Sequence, residues 1–128
     1  EKIISQAIAL RDQNSGNKNR SILKTAVDFI DSHYMEEDMS LNKAANAANV
    51  SANHFSALFS QNMGQTFIEY LTNLRMNKAK EYLRCTSMRS SEIAGEIGYK
   101  DAHYFSYLFK KTQGVTPSDY RKAREDKA

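Results

Sequence analysis

The sequence predicts an all-α fold, and three observations support this prediction. The 128 residues contain five glycines and one proline, too few for the many turns of an all-β fold. Apolar residues recur at helical spacing, as they do over residues 20–34. A segment at residues 40–70 recurs at residues 90–120 with helix start and stop signals in the same order. A chain of this length forms one compact domain or two very small ones, and it has no room for a large two-domain enzyme.

The repeat emerges when the sequence is aligned with itself at an offset of 50 residues. Residues 40–70 then align with residues 90–120 without a gap, and roughly a third of the aligned positions are identical. The identities include the pattern F-S-x-L-F, at residues 55–59 and again at residues 105–109. The chain therefore contains two copies of one supersecondary unit.

The residues ahead of the repeat predict further helical structure. Residues 20–34 are expected to form a helix, because their apolar side chains fall on one helical face. Residues 1–12 are expected to form another helix. Between the two, the polar residues 13–19 have the composition of a linker.

Capping residues mark three helices in the first copy. A serine hydroxyl accepts hydrogen bonds from the first free amides of a helix, and glycine adopts the left-handed conformation that ends one. The signals are Ser40 before a helix over about residues 41–48, Ser51 before a helix to about residue 62, Gly64 after it, and the capping box from Thr66 to Glu69 before a longer helix to about Arg84.

The second copy carries corresponding signals. Thr116 and Pro117 combine an N-cap with a proline at the first helical position, where its missing N–H has no partner to lose. The signals are Ser90 or Ser91 at the start of a helix through Ile97, the turn Gly98–Tyr99–Lys100, Asp101 before a helix to about Thr112, Gly114 after it, and Thr116 with Pro117 before the last helix.

Each copy has the geometry of a helix-turn-helix, a short helix and a second helix joined by a tight turn. At about 100° per residue, the apolar residues of the F-S-x-L-F pattern fall on one side of the second helix and are expected in the core. The opposite side carries Asn53, Ala57 and Ser60 in the first copy and His103, Tyr107 and Lys110 in the second, flanked by Ser56 and Ser106.

These outward sides are suited to DNA. A major groove about 12 Å wide admits one α-helix. The helix over residues 67–84 would be about 27 Å long at a rise of about 1.5 Å per residue, which makes it a plausible spacer. If the second helices of the two copies were held about 34 Å apart, they would enter successive major grooves. One chain would then read an asymmetric site.

Composition excludes several classes of protein. The single cysteine, Cys85, excludes a disulfide framework within the chain and a zinc site made of cysteines alone. The three histidines lie too far apart in sequence for a recognisable metal motif. No apolar run approaches the roughly 18–20 residues that cross a bilayer. We expect a cytoplasmic protein without a metal, a cofactor or a membrane partner.

The net charge of +3 is unevenly distributed along the chain. Residues 1–39 carry five Lys/Arg and seven Asp/Glu, for a net charge of −2, whereas residues 40–128 carry thirteen and eight, for +5. A basic surplus of this size is compatible with a polyanionic partner but does not require one.

The motifs together resemble one family. The stretch Ile93–Arg121, IAGEIGYKDAHYFSYLFKKTQGVTPSDYR, strongly resembles the signature of AraC/XylS-type transcription regulators. The first copy and the stretch Leu71–Leu83, LTNLRMNKAKEYL, are similar to that family's first helix-turn-helix and linker helix. The resemblance covers about residues 20–124. It implies seven helices in two helix-turn-helix subdomains that bind double-stranded promoter DNA, with RNA polymerase as a further expected partner.

The resemblance also implies a domain organisation. We expect a linker over residues 1–19, a first helix-turn-helix subdomain over 20–66, a linker helix over 67–84 and a second subdomain over 85–128. Residues 8–12, IALRD, are similar to the linker that precedes this domain in YesN-type response regulators. That similarity implies an upstream phospho-acceptor receiver domain and a bacterial two-component system.

By position, the resemblance implies two sets of DNA contacts. Relatives often carry arginine, the commonest bidentate reader of guanine, where this chain has Ala57 and Tyr107. We therefore expect Asn53 to read adenine, and Ala57 and Tyr107 to contact thymine methyl groups. His103 would donate to a base or a phosphate, and Arg75 has a structural alternative as a pairing residue between the repeats. The base-reading candidates are Asn53, Ser56, Ala57, His103, Tyr104, Ser106 and Tyr107, and the phosphate candidates are Ser60, Arg75, Lys78, Lys110 and Lys111.

Two other classes of function compete with DNA binding. An enzyme would need a nucleophile, a phosphate loop or a metal set, and no motif for any of these is present, so no catalytic residue is predicted. A helical protein-interaction module that has lost specific DNA binding is the alternative, because the usual arginines are missing.

Overall fold

The computed structural model describes residues 13–127, and this range contains seven α-helices and no strand. The all-α fold and the seven helices are confirmed. The helix predicted over residues 1–12 lies outside the described residues. None of the seven helices has the length and apolar content needed to cross a membrane. The helices are α1 Gln13–His33, α2 Leu41–Ala47, α3 Ala52–Met63, α4 Phe67–Cys85, α5 Ser90–Glu96, α6 Ala102–Gln113 and α7 Pro117–Lys127.

Most helices begin at the predicted caps. The Ser40 hydroxyl accepts from the Lys43 amide at 3.1 Å, and the Ser51 hydroxyl accepts from the His54 amide at 3.1 Å. The remaining side-chain caps are the Thr66–Glu69 capping box before α4, Asp101 before α6 and Thr116 before α7. Such caps each contribute about 1 kcal/mol to helix stability.

α5 begins at Ser90, one of the two starts predicted for it. Its N-cap is Arg89, and Glu92 Oε1 accepts from the Arg89 amide at 2.8 Å. An arginine side chain cannot accept hydrogen bonds, so only this half of a capping box can form.

The predicted start of the first described helix is wrong. α1 begins at Gln13, so residues 13–19 are helical where their polar composition indicated a linker. Apart from Gly16, these residues cost the helix only a fraction of a kcal/mol each, about 0.7 at most. Extending an existing helix adds one hydrogen bond per residue fixed. The buried residues Leu23, Ala26 and Ile30 anchor the helix that is extended.

The described chain forms two compact units. Unit 1 comprises residues 13–33 and 39–72, and unit 2 comprises residues 34–38 and 73–127. The division falls within α4, so the long helix contributes to both units. The predicted subdomain limits at the two ends of this helix stay predictions.

The F-S-x-L-F patterns form the centre of each core. Phe55 and Phe59 are fully buried in unit 1, and Phe105 and Phe109 are fully buried in unit 2. The two rings of each pair lie 5.5 Å and 5.9 Å apart. Burying one such side chain contributes about 1.5–3 kcal/mol. This burial fixes which sides of α3 and α6 face solvent.

The structure corrects the register of the repeat. The N-caps Ser51 and Asp101 of α3 and α6 are 50 residues apart, but positions before them correspond at an offset of 49. The corresponding positions are the N-caps Ser40 and Arg89, the C-caps Ala48 and Ile97, and Val50 and Tyr99, whose amides each bond to the carbonyl five residues back. The turn between α5 and α6 is therefore one residue longer than the turn between α2 and α3, and the extra residue is Lys100. The gapless alignment was wrong here because small residues recur along both short helices.

In each helix-turn-helix, the turn between the two helices contains one residue at positive φ. In the first turn this is Asn49, with φ of 65°, and asparagine tolerates the left-handed region better than most residues. In the second turn it is Gly98, with φ of 105°. A Cβ atom at Gly98 would lie 2.7 Å from Arg75 Nη2, so conformation and close packing both require glycine there.

Candidate nucleic-acid interface

α3 presents a small, uncharged face to solvent. We call Asn53, Ser56, Ala57 and Ser60 the α3 face; all are exposed except the half-buried Ser56. No residue of α3 is Lys, Arg, Asp or Glu. His54, which is exposed and is the only histidine of the helix, adjoins this face and was missed by the sequence reasoning. The spacing of the buried phenylalanines alone indicates that position 54 faces solvent.

α6 presents an aromatic face. We call His103, Tyr104, Ser106 and Tyr107 the α6 face; Ser106 is half-buried, and the two tyrosines are 51% and 60% exposed. The Tyr104 ring centroid lies 6.4 Å from that of Tyr107 and 5.9 Å from that of the buried Tyr99, which it meets at 64°. Contact with Tyr99 therefore orients Tyr104 while much of its ring stays open to solvent.

Cations lie at both ends of the α6 face. Lys110 and Lys111 are exposed in the last turn of α6, and the Lys111 Nζ lies 5.8 Å from the centroid of the Tyr107 ring. At the other end, the exposed Lys100 precedes Asp101. Sequence reasoning missed Lys100 because the gapless alignment paired it with Val50 and hid its status as an inserted residue.

The start of α6 is occupied by a carboxylate. Asp101 Oδ1 accepts from the backbone amides of His103 at 2.8 Å and Tyr104 at 3.4 Å. The first free amides of α6 are therefore satisfied by an anion of the chain itself. The corresponding cap of α3 is the neutral Ser51, so the two helix starts differ by one negative charge.

Arg75 is buried within unit 2, with 6% of its surface exposed. Its Nε donates to the Tyr34 carbonyl at 2.7 Å, and its Nη2 donates to the Glu36 carbonyl at 2.8 Å. The guanidinium carbon also lies 4.8 Å from the centroid of the Tyr99 ring. This burial removes Arg75 from the candidate phosphate contacts and supports a structural role.

Lys78 is engaged within its own helix. Its Nζ lies 3.0 Å from Glu81 Oε1 and 5.2 Å from the centroid of the Tyr82 ring. The hydrogen bond that the Lys78 ammonium donates to Glu81 raises the pKa of Lys78 against a smaller opposing effect of desolvation. A contact between Lys78 and phosphate would have to compete with this exposed ion pair, and such pairs contribute only about 0–1 kcal/mol.

The described residues contain no group of three or more His, Cys, Asp or Glu that could hold a metal ion. Cys85 is exposed and forms no disulfide. Both exposed helix faces offer hydrogen bonding and apolar contact, and lysines add positive charge beside the α6 face alone.

The buried sides and exposed faces of α3 and α6 define a double helix-turn-helix protein. The helix-turn-helix domain family matches this chain over residues 44–123. The chain belongs to this family, the AraC-type DNA-binding domains of transcription regulators, as the sequence resemblance implied.

Individual relatives agree with this membership. The transcriptional regulatory protein YesN of Bacillus subtilis is 33% identical over 122 residues, which cover 94% of this chain and 28% of YesN. The C-terminal domain of AraT, a response regulator from Geobacillus stearothermophilus, is 41% identical with a TM-score of 0.78, over 80% of this chain and 85% of that chain. The DNA-binding domain of AdpA, solved with a target DNA, shares the fold, with a TM-score of 0.77 and 21% identity over 84% of this chain and 95% of that chain. The chain matches only a minor part of its curated relatives, from 12% to 38% of their lengths.

Proposed function

We propose that this chain binds double-stranded promoter DNA with sequence preference, by placing α3 and α6 in successive major grooves. One observation carries the proposal. In both units the second helix of a helix-turn-helix buries its phenylalanines and leaves the opposite face open to solvent. An exposed helix of this kind fits a groove about 12 Å wide.

The chemistry of the two faces favours A·T base pairs. The Asn53 amide can donate to N7 and accept from the N6 amino group of adenine. Ala57 and Tyr107 both offer apolar surface to a thymine methyl group. His103 contributes a hydrogen bond to a base or a phosphate. The remaining base contacts in the proposal are Ser56, Tyr104 and Ser106.

The proposed phosphate contacts differ in their exposure and in the bonds that they already make. Ser60 on the α3 face, and Lys110 and Lys111 beside the α6 face, are exposed and are retained in the proposal. Lys78 is a weaker contact because its ammonium already bonds to Glu81. Phosphate contacts set register and orientation on the duplex, whereas base contacts set sequence preference.

The full protein would couple this domain to other parts. The AraT match is the C-terminal domain of a response regulator, and this supports a receiver domain upstream of the present chain. RNA polymerase is the expected partner in regulating transcription, and the cytoplasm is the expected location because promoter DNA is found there. This role requires no catalysis by the chain.

Selection of bound duplexes from a random pool tests the proposed function. Specific binding predicts an enriched motif whose affinity exceeds that of random duplex and falls steeply as salt rises. The alternative, a protein-interaction module without specific DNA binding, predicts that no motif is enriched at moderate salt. The observation that favours this alternative is that neither α3 nor α6 contains an arginine.

A further inference from the structure

The two helix-turn-helix units differ sharply in local charge. The first turn, α3 and the residues up to Gln65, spanning residues 49–65, contain no Lys, Arg, Asp or Glu. The corresponding residues 98–115 contain Lys100, Asp101, Lys110 and Lys111. At the offset of 50 that holds for α3 and α6, the counterparts of Lys110 and Lys111 are Ser60 and Gln61. Lys100 has no counterpart because the second turn is one residue longer.

The three lysines lie at the two ends of the α6 face. Lys100 precedes the N-cap and Lys110 lies in the last turn. The helical stretch from Ala102 to Lys110 alone spans about 12 Å at a rise of about 1.5 Å per residue. A major groove about 12 Å wide is bordered by two phosphate strands. A helix placed in it can therefore direct a cation at each end toward a different strand.

These three lysines are available to bind phosphate because nearby carboxylates do not pair with them. Within the described residues none of the three lysines is in an ion pair. The Asp101 carboxylate is engaged by two backbone amides of α6. The acidic residues 36–38 belong to the same unit and reduce its overall positive charge. Attraction to phosphate in unit 2 therefore depends on local cations rather than on a large net charge.

We propose that the second helix-turn-helix is the electrostatic anchor of this domain, with Lys100, Lys110 and Lys111 as its phosphate contacts. The first helix-turn-helix then contributes base contacts through uncharged side chains and releases few counterions. This inference rests on the DNA-binding function proposed above. It adds Lys100 as a contact and assigns the salt dependence of binding to one of two similar units.

An exchange between the repeats tests this division. The variant K110S/K111Q gives α6 the residues that α3 carries at the corresponding positions. Affinity for the selected duplex is measured by fluorescence anisotropy over about 0.1–0.3 M salt. Each phosphate contact contributes about 0.9 to the slope of log affinity against log salt concentration, so the slope should become shallower by about 1.8. Over this threefold range of salt, the variant should lose about sevenfold less affinity than the original chain. Adding K100Q should reduce the slope by about another 0.9.

Two matched variants serve as comparisons. K18Q/K24Q removes the same charge from exposed positions on α1 and should leave the slope unchanged. S60K/Q61K places the missing cations on α3 and should steepen the slope. Far-UV circular dichroism establishes that each variant folds.

An unchanged slope in K110S/K111Q would overturn the inference while leaving DNA binding intact, whatever the slope of K18Q/K24Q. Failure of the original chain to enrich any duplex would instead overturn the proposed function itself. The two failures are therefore distinguishable.

Discussion

Substitution of Arg75 distinguishes a structural role of this residue from a contact with DNA. Replacing it by methionine keeps most of the side-chain volume and removes the donors to the Tyr34 and Glu36 carbonyls. A hydrogen bond to a charged group contributes about 1.5–3 kcal/mol, and loss of the contact with Tyr99 adds about 0.5–1 kcal/mol. Removing a buried charge also removes its desolvation cost, so we expect a net destabilisation of about 3 kcal/mol.

Urea unfolding followed by circular dichroism measures this loss. At an m-value of about 2 kcal/mol/M, a destabilisation of about 3 kcal/mol lowers the midpoint by about 1.5 M. Arg75→Lys should recover only part of the stability, because an ammonium cannot reproduce the planar fork of donors. At a temperature where both variants are folded, the slope of DNA affinity against salt should equal that of the original chain.

The opposite pattern would refute the structural role of Arg75. It consists of an unchanged urea midpoint together with a salt slope shallower by about 0.9, the value for one lost phosphate contact.

Substitutions at four further residues test the turn, the cap and the α6 face. Gly98→Ala should destabilise the fold by more than about 1 kcal/mol, because φ is 105° and the new methyl group would meet Arg75 at 2.7 Å; an unchanged thermal midpoint would contradict this packing. Asp101→Ala should cost about 1 kcal/mol of unfolding free energy by removing the cap of α6, and Asp101→Asn should recover most of it. His103→Ala and Tyr107→Ala should each weaken binding to the selected duplex by about 1–3 kcal/mol and random duplex much less. Equal losses on both duplexes would make His103 and Tyr107 phosphate contacts rather than base readers.

Local rules predicted much of the fold. Ser40, Ser51 and Asp101 cap helices in the structure as predicted, because a side-chain cap depends on residues only two or three positions apart. Burial of the phenylalanines was predictable for a similar reason, since helical periodicity alone places them on one side. The outward sides of α3 and α6 followed directly from this burial.

Features set by distant residues were less accessible to sequence reasoning. The burial of Arg75 depends on carbonyls about 40 residues away in sequence, and no local pattern encodes that contact. The insertion of Lys100 could not be recognised from the sequence, because backbone conformation rather than residue identity marks it. α1 extends to Gln13 because helix propagation overrides the weak preferences of polar residues.

Selection from a random duplex pool, followed by affinity measurement at two salt concentrations, tests DNA recognition most directly. We expect an asymmetric, A·T-rich motif with two half-sites about 10–10.5 base pairs apart, and a steep loss of affinity at the higher salt. Enrichment of no motif, or equal affinity for selected and random duplexes at moderate salt, would contradict sequence-specific binding by α3 and α6.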